Sequence, residues 1–269
     1  MLALLVAATL AVSPAPPPVD APLPSGAAAT AQRLTVATDA LDVALADDRA
    51  VGLTRPSREL LLWALYQQRL YLALGPAPAA FGNAVVSRLP ARLRADARDI
   101  VTARRSLVRL TPPTRLPLSA FRTGPAQPAD RLLVHYREAQ RRFGVPWHVL
   151  AAVNFIETAF GKVRSRSTAG AQGPMQFLPA TWRAYGLGGD IDDPRDAILG
   201  AANLLRASGA PGDLRRALYA YNHSNLYVDA VLAYARVMRR DVRSFYAFHA
   251  WQVFVRTPSG YRRITRVAP

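Results

Sequence analysis

A proline-rich stretch divides this chain between two regions in which apolar residues recur at helical spacing. The stretch runs from Thr111 to Pro128 and contains five prolines, which cannot continue a helix. Before it, the segment from about Pro56 to Leu74 is apolar nearly all round, which indicates a buried helix. After it, a helical pattern resumes at Asp130 and continues to about Phe245, broken by one long loop. These patterns predict a mainly α protein.

The sequence suggests five successive regions. Trp251 to Val255 and Tyr261 to Thr265 flank Pro258-Ser259-Gly260, a pattern typical of a short β-hairpin. We therefore predict an apolar leader with a proline-rich spacer, a helical region, a linker, a second helical region and a tail that holds the hairpin. Their expected bounds are 1–26, 27–110, 111–128, 129–246 and 247–269.

The composition narrows the possible partners and chemistry. The net charge is +16, and arginine supplies nearly all the positive charge, since Lys162 is the only lysine. Such a charge favours a polyanion, and both nucleic acid and an anionic cell envelope fit it. The absence of cysteine excludes disulfides, thiolate zinc sites and cysteine nucleophiles.

The first residues predict export. Met1 to Val12 form an apolar run that is shorter than the about 20 residues needed to cross a bilayer. The run resembles the apolar region of a signal peptide, and Ala29-Thr30-Ala31 fits a cleavage site. No Lys or Arg precedes it, so a mis-assigned start site and an uncleaved anchor are the alternatives. We expect the protein in the periplasm, in the cell wall or outside the cell.

The chain contains only three glutamates, so the search for a catalytic acid is short. Glu59 lies in the first turn of a predicted helix, where a carboxylate is favoured by the helix dipole. Glu138 lies among arginines, and a solvated ion pair explains it. Glu157 is different, because it lies near the end of a predicted helix with Val153 and Phe160 beside it. Apolar neighbours and a helix C-terminus both raise the pKa of a carboxyl group.

From these local features alone, a catalytic Glu157 and a solvent-facing Glu157 remain equally open. Two further motifs follow it. A loop rich in Ser, Gly and Arg leads to Gly173-Pro174-Met175-Gln176, and Ala220-Tyr221-Asn222 comes later. With Glu157-Thr158, this order resembles the goose-lysozyme-like (SLT) lytic transglycosylases, whose hallmarks are Glu-Ser, Gly-Leu-Met-Gln and Ala-Tyr-Asn. The resemblance covers roughly residues 130 to 245 and implies a lysozyme-like α-helical catalytic domain at 129–246.

The resemblance also implies roles for individual residues. Glu157 matches the catalytic acid and base, and Tyr221 matches a tyrosine that hydrogen-bonds and orients that glutamate. The residues expected to bind substrate or to shape its cleft are Ser167, Met175, Gln176, Phe177, Tyr221 and Asn222. For Met175 alone, ordinary core packing is the better interpretation. Four positions depart from the family: Thr158 replaces Ser, Pro174 replaces Leu, and His223-Ser224 replaces Ala-Gly.

The family reaction needs a single carboxylate. Glu157 would protonate the bond between N-acetylmuramic acid and N-acetylglucosamine and then promote closure of a 1,6-anhydro ring. A lysozyme-like muramidase is the first alternative, and it would need Asp190 or Asp192 to activate water. A non-catalytic wall-binding protein is the second. We expect peptidoglycan strands as the partner, with anionic cell-envelope polymers also possible partners, and no nucleic acid, metal or cofactor; Asp193 and Asp196 fit a helix cap better than a calcium site.

Overall fold

Within residues 14–265, the part of the chain that this computed structural model describes, the polypeptide forms helices followed by one β-hairpin. This agrees with the predicted mainly α fold and its short C-terminal hairpin. The helices are α1 (Ala27–Ala50), α2 (Arg58–Leu74), α3 (Ala79–Arg88), α4 (Ala91–Leu110), α5 (Ala129–Phe143), α6 (Trp147–Thr158), α7 (Pro179–Tyr185), α8 (Pro194–Ala207), α9 (Leu214–Tyr221), α10 (Asn225–Arg240) and α11 (Arg243–Ala250). The strands are β1 (Phe254–Thr257) and β2 (Gly260–Arg263), which pair antiparallel.

Local sequence signals explain where several helices begin and end. The side chain of Ser57 accepts a hydrogen bond from the Leu60 amide at 3.1 Å and caps α2. Asp193 caps α8 in the same way, accepting from the Asp196 amide at 3.0 Å, with a proline at the first helical position. The capping role predicted for Asp193 is thus confirmed. Helix α5 ends at Gly144, whose φ of 72° suits a residue without a Cβ atom.

Helix α10 connects the N-terminal helices to the rest of the protein. It packs against α4 on one side and against α6 on another, and the buried apolar residues on both sides belong to one continuous core. Two ion pairs of 2.6 Å cross the contact between α4 and α10, from Arg236 to Asp99 and from Arg240 to Asp96. Residues 27–110 therefore pack directly on the second helical region, while the predicted domain bounds themselves stay a prediction.

Two buried glutamines of α2 fasten the segment that leads into the hairpin. Gln68 donates to the Gln252 carbonyl and accepts from the Gln252 amide, both at 2.8 Å. Gln67 accepts from the indole N–H of Trp251 at 3.2 Å. Because both glutamines are almost fully buried, these bonds satisfy groups that would otherwise lack partners away from water. Helix α2 therefore holds the chain's C-terminal segment in place.

The proline-rich stretch is not helical except for one 3₁₀ turn at Leu118–Ala120. It is tied to the loop that follows α6, because Thr123 and Val163 form an antiparallel bridge. It also reaches the hairpin, since the Thr114 amide donates to the Arg256 carbonyl at 2.7 Å. The stretch thus runs between the hairpin and the loop that follows α6.

The predicted leader Met1–Val12 lies outside the described residues. Among the helices of residues 14–265, none combines the length and the apolar character needed to span a bilayer.

Candidate functional site

Glu157 lies in the last turn of α6 and is partly buried. Immediately after the helix, Ala159, Phe160 and Gly161 all adopt left-handed backbone conformations, with φ of 51°, 65° and 82°. Such conformations are strained for residues with a Cβ atom and are held only where the surroundings fix them. Phe160 is fixed in this way, because its side chain is 1% exposed within the core. The turn sends the chain back across the end of α6, where the Val163 amide donates to the Thr158 carbonyl at 3.0 Å.

The environment of Glu157 favours its neutral form. Burial raises the pKa of its carboxyl group to about 7, against a hydrogen bond from Tyr227 that lowers it. The Tyr227 hydroxyl donates to Glu157 Oε1 at 2.6 Å, and Tyr227 itself is 1% exposed. A carboxyl group with this pKa is about half protonated near neutral pH, so it can both donate and accept a proton.

The tyrosine that holds Glu157 is not the one predicted. We expected Tyr221 to hydrogen-bond Glu157, but its hydroxyl donates to the Met175 carbonyl at 2.7 Å. Tyr227, in the first turn of α10, makes the bond to Glu157 instead. The two phenol rings lie parallel, at an interplanar angle of 4° with 6.4 Å between centroids. Tyr221 therefore supports the neighbouring turn, and Tyr227 is the residue that sequence reasoning missed.

The turn Gly173–Gln176 is fastened to α6 by a buried polar cluster. The Thr158 hydroxyl donates to the Pro174 carbonyl at 2.5 Å and accepts from the Gly161 amide at 2.8 Å. Asn154 donates to the same carbonyl at 2.7 Å, and its own oxygen accepts from the Tyr136 hydroxyl at 2.5 Å. The hydroxyl of Thr158, which replaces the family's serine, is therefore used to position the turn beside Glu157.

The remaining predicted site residues differ in accessibility. Met175 and Phe177 are 0% and 3% exposed and belong to the core. Their side chains therefore form the packed support of the turn. This agrees with the core packing preferred for Met175 and corrects the expectation that Phe177 contacts substrate. Gln176 is partly exposed, and its side chain donates to the Gly173 carbonyl at 3.1 Å. Ser167 is exposed, and its hydroxyl accepts from the Ala171 amide at 3.0 Å.

Asn222 ends α9 and is partly buried. Its backbone carbonyl accepts from the Ser224 amide at 2.6 Å, so it shapes the short connection that leads to Tyr227 in α10. The substrate contacts expected of Ser167, Gln176, Tyr221 and Asn222 stay predictions.

The other acidic candidates have structural roles. Glu138 forms a two-bond ion pair with Arg195, not with the arginines of its own helix. Glu59 lies in the first turn of α2, as predicted. Asp190 accepts from the Asp192 amide at 2.9 Å, within the exposed turn that precedes α8. In residues 14–265, no group of three or more His, Cys, Asp or Glu side chains is arranged to hold a metal ion.

Lys162 is a second ionisable group close to Glu157 in the chain, and it is also partly buried. Its ammonium group donates to the carbonyls of His249 and Trp251, at the end of α11, the second at 2.5 Å. Burial lowers the pKa of this amine to about 8. Since α2 holds Trp251 and Gln252, a chain of buried polar contacts runs from α2 through the end of α11 to the loop after Glu157.

We predict that Gly173→Ala destabilises the protein by about 2–4 kcal/mol, as strain and overpacking add up. Gly173 has a φ of 71°, and a Cβ atom there would lie 2.0 Å from the Ile191 carbonyl oxygen. Gly170 is the matched control, because its φ is 82° but nothing lies within 4 Å of its Cβ position. Gly170→Ala should cost only about 1 kcal/mol. Urea denaturation measures the unfolding free energy of both variants. Equal losses would contradict the close approach of the Cβ position of residue 173 to the Ile191 carbonyl oxygen.

Comparison with known proteins agrees with this geometry. Residues 135–240 match the family model of the transglycosylase SLT domain, a helical domain of lysozyme-like type. A curated relative, the membrane-bound lytic murein transglycosylase F of Thiobacillus denitrificans, is 30% identical over 145 residues. That alignment covers 52% of this chain but only 29% of the relative's length. No solved structure shows a significant match to the chain.

Proposed function

We propose that this protein is a peptidoglycan lytic transglycosylase in which Glu157 is the single catalytic acid and base. The reaction cleaves the β-1,4 bond between N-acetylmuramic acid and N-acetylglucosamine and leaves a 1,6-anhydro-muramic end. The observation that carries this proposal is the carboxyl group of Glu157, which burial brings to a pKa of about 7 within an SLT domain. The similarity to a lytic murein transglycosylase supports the same substrate.

In the first step, protonated Glu157 donates its proton to the oxygen that bridges the two sugars. The bond between this oxygen and C1 of the muramic acid breaks, and the protonated oxygen leaves with N-acetylglucosamine. The positive charge that develops at C1 can be stabilised by the substrate's own N-acetyl group. Glu157 is left as a carboxylate, which the hydrogen bond from Tyr227 stabilises.

In the second step, the Glu157 carboxylate removes the proton from the C6 hydroxyl of the same muramic acid. The C6 oxygen attacks C1 and closes the anhydro ring, which returns the proton to Glu157. Attack within one sugar gains from a high effective concentration, so no second group has to activate a water molecule. A single residue that acts in both steps needs a pKa near the working pH.

The hydrolytic alternative requires a second carboxylate near Glu157. The causes that shift the pKa of Glu157 are burial and the bond from Tyr227, and no acidic side chain of residues 14–265 contributes. Asp190 and Asp192, the candidates for that role, lie in the turn before α8, where Asp190 bonds the Asp192 amide. These observations favour the anhydro product over hydrolysis.

Purified peptidoglycan digested with the protein and with Glu157→Gln tests the proposal, with fragments identified by mass spectrometry. We expect 1,6-anhydro-muramic ends from the wild type and none from the variant. Reducing ends in their place would make the protein a muramidase. If neither protein released fragments while both bound peptidoglycan, the non-catalytic alternative would replace the proposal.

We predict that Tyr227→Phe moves the alkaline limb of the kcat profile to higher pH by about 1 unit. The variant loses the bond that stabilises the Glu157 carboxylate, so the pKa of Glu157 rises further above its ordinary value. Tyr221→Phe is the matched control, because its hydroxyl bonds the Met175 carbonyl instead. The alkaline limb of the Tyr221→Phe profile should stay at the pH of the wild type, even if the value of kcat changes. A shift in Tyr221→Phe alone would restore the role first predicted for Tyr221.

We further propose that the protein acts in the cell envelope after export directed by the apolar run Met1–Val12. The catalytic region is 129–246, and residues 27–110 stabilise it through α2, α4 and the contacts described above. Cell fractionation with detection of the mature N-terminus tests this placement. Recovery only from the cytoplasm would contradict it.

A further inference from the structure

Three segments of the chain contain no Asp or Glu: residues 111–129, 158–189 and 242–265. The first is the proline-rich stretch with the residue after it, the second follows Glu157, and the third includes the hairpin. We call the surface that they form the basic face. Elsewhere in the described chain, acidic side chains pair with arginines, as Asp99 does with Arg236.

Backbone contacts join the three segments. The Gly124 amide donates to the Lys162 carbonyl, and the Arg164 amide to the Arg122 carbonyl, both at 2.9 Å. The Ser165 hydroxyl donates to the Ala120 carbonyl at 3.2 Å, so the loop after α6 lies against the 3₁₀ turn. The bond from Thr114 to the Arg256 carbonyl then connects the stretch to the hairpin. The basic face is therefore continuous from the loop after Glu157 to the hairpin.

The basic face presents arginines that have no acidic partner. The exposed ones include Arg115, Arg122, Arg164, Arg166 and Arg262. In residues 14–265, none of these five forms an ion pair. Unpaired cations that no acid interrupts attract an anionic surface or polymer.

Apolar side chains lie among these arginines. Leu116 and Leu118 are 49% and 42% exposed. Together with Pro258 and Arg262 they line a shallow groove between the proline-rich stretch and the tip of the hairpin. A polymer of carboxylates or phosphates would bind through the arginines alone and would not require exposed leucines. Exposed leucines beside unpaired arginines are instead the combination that binds the headgroup region of an anionic bilayer.

We propose that the basic face binds the surface of an anionic lipid bilayer. The arginines contact lipid phosphates, and Leu116 and Leu118 insert at the boundary with the acyl chains. Because the face adjoins the loop after α6, binding would hold Glu157 beside the membrane rather than away from it. The proposal does not depend on the reaction that Glu157 performs.

Co-sedimentation of the full chain with lipid vesicles tests this proposal. Vesicles of phosphatidylglycerol mixed with phosphatidylcholine are compared with vesicles of phosphatidylcholine alone. Residues 1–13 contain no Lys, Arg or His and can add at most the single charge of a terminal amine, so they contribute little to binding that depends on the anionic lipid. We expect binding that increases with phosphatidylglycerol and weakens as salt rises.

Two matched pairs of variants assign the binding to the basic face. Leu116→Ser with Leu118→Ser should weaken binding to the anionic vesicles by about 10-fold or more. Val51→Ser with Leu53→Ser, at positions 72% and 50% exposed outside the face, should leave it unchanged. Arg115→Gln with Arg262→Gln should likewise weaken it, whereas Arg98→Gln with Arg137→Gln removes the same charge elsewhere and should have a smaller effect.

Two results would overturn the proposal. One is equal vesicle binding by the face variants and their controls. The other is loss of binding to purified peptidoglycan, but not to vesicles, in the arginine variants, which would assign the face to an anionic polymer. Circular dichroism of each variant confirms that the comparison is made between folded proteins.

Discussion

Replacing Glu157 with Gln should lower kcat for peptidoglycan cleavage by about 10³-fold, because the amide can neither donate the proton nor recover it. The change is nearly isosteric, and glutamine can still accept the hydrogen bond from Tyr227. Turnover of purified peptidoglycan at pH 7 measures the loss. Glu59→Gln is the matched control, since Glu59 is exposed on α2 and should retain full activity. Substantial activity in Glu157→Gln would assign the proton transfers to another group.

The same substitution has an expected effect of opposite sign on stability. Because burial raises the pKa of Glu157 from 4.5 to about 7, the folded protein favours the protonated form. The unfolded chain releases this proton at lower pH, so ionisation of Glu157 costs stability progressively as pH rises from 4.5 to about 7. Glutamine avoids that cost and should be more stable than glutamate above this range by up to about 3 kcal/mol. Urea denaturation of both proteins at pH 4 and at pH 8 measures this difference in stability, which should appear only at pH 8.

The second large effect concerns the cluster that holds the turn Gly173–Gln176. Asn154→Leu should destabilise the protein by about 3 kcal/mol, because it leaves the Tyr136 hydroxyl buried without an acceptor. Both residues are at most 1% exposed, so water cannot replace the lost partner. The variant also removes one of two donors to the Pro174 carbonyl, which should displace the turn and reduce activity.

A double substitution separates the effect of the unpaired Tyr136 hydroxyl from the effect of the displaced turn. Adding Tyr136→Phe to Asn154→Leu removes the unpaired hydroxyl and should recover about 1 kcal/mol or more, since replacing both partners costs less than replacing one. Activity should not recover, because the turn still lacks its Asn154 contact. Denaturation and turnover of the two single variants and the double variant complete the cycle. Strict additivity of the two stability losses would show that the hydroxyl and the amide are not coupled.

The sequence predicted those parts of the fold that depend on local signals. The predicted cap at Asp193 is one such signal, since its side chain acts on an amide three residues away. Ser57 and Gly144, which were not predicted, act at the start of α2 and the end of α5 over an equally short range. Helix α3 was not predicted, because its short segment lies between prolines, and α1 and α4 pack against it. Tertiary contact, rather than periodicity, therefore accounts for that element.

The candidate site also combines residues that the sequence could indicate with contacts that it could not. The local features of Glu157 left a catalytic and a solvent-facing role equally open, and it was selected through the later motifs Gly173-Pro174-Met175-Gln176 and Ala220-Tyr221-Asn222. Tyr227 could not be assigned, since the bond to Glu157 joins residues 70 positions apart. The burial of Lys162 was equally hidden, because its carbonyl partners lie 87 and 89 positions away. The sequence contains the residue types of the site, but it does not show which residues of different elements contact each other.

The burial of Lys162 gives the protein an intrinsic label. It is the only lysine in the chain, so a reagent that acylates amines finds no other side chain to react with. Modification requires the ammonium group to leave the carbonyls at the end of α11 and lose its proton. The rate of acylation at Lys162 therefore reports how often the loop after Glu157 opens. A glycan bound in the site should slow that rate, even in a variant that cannot cleave it.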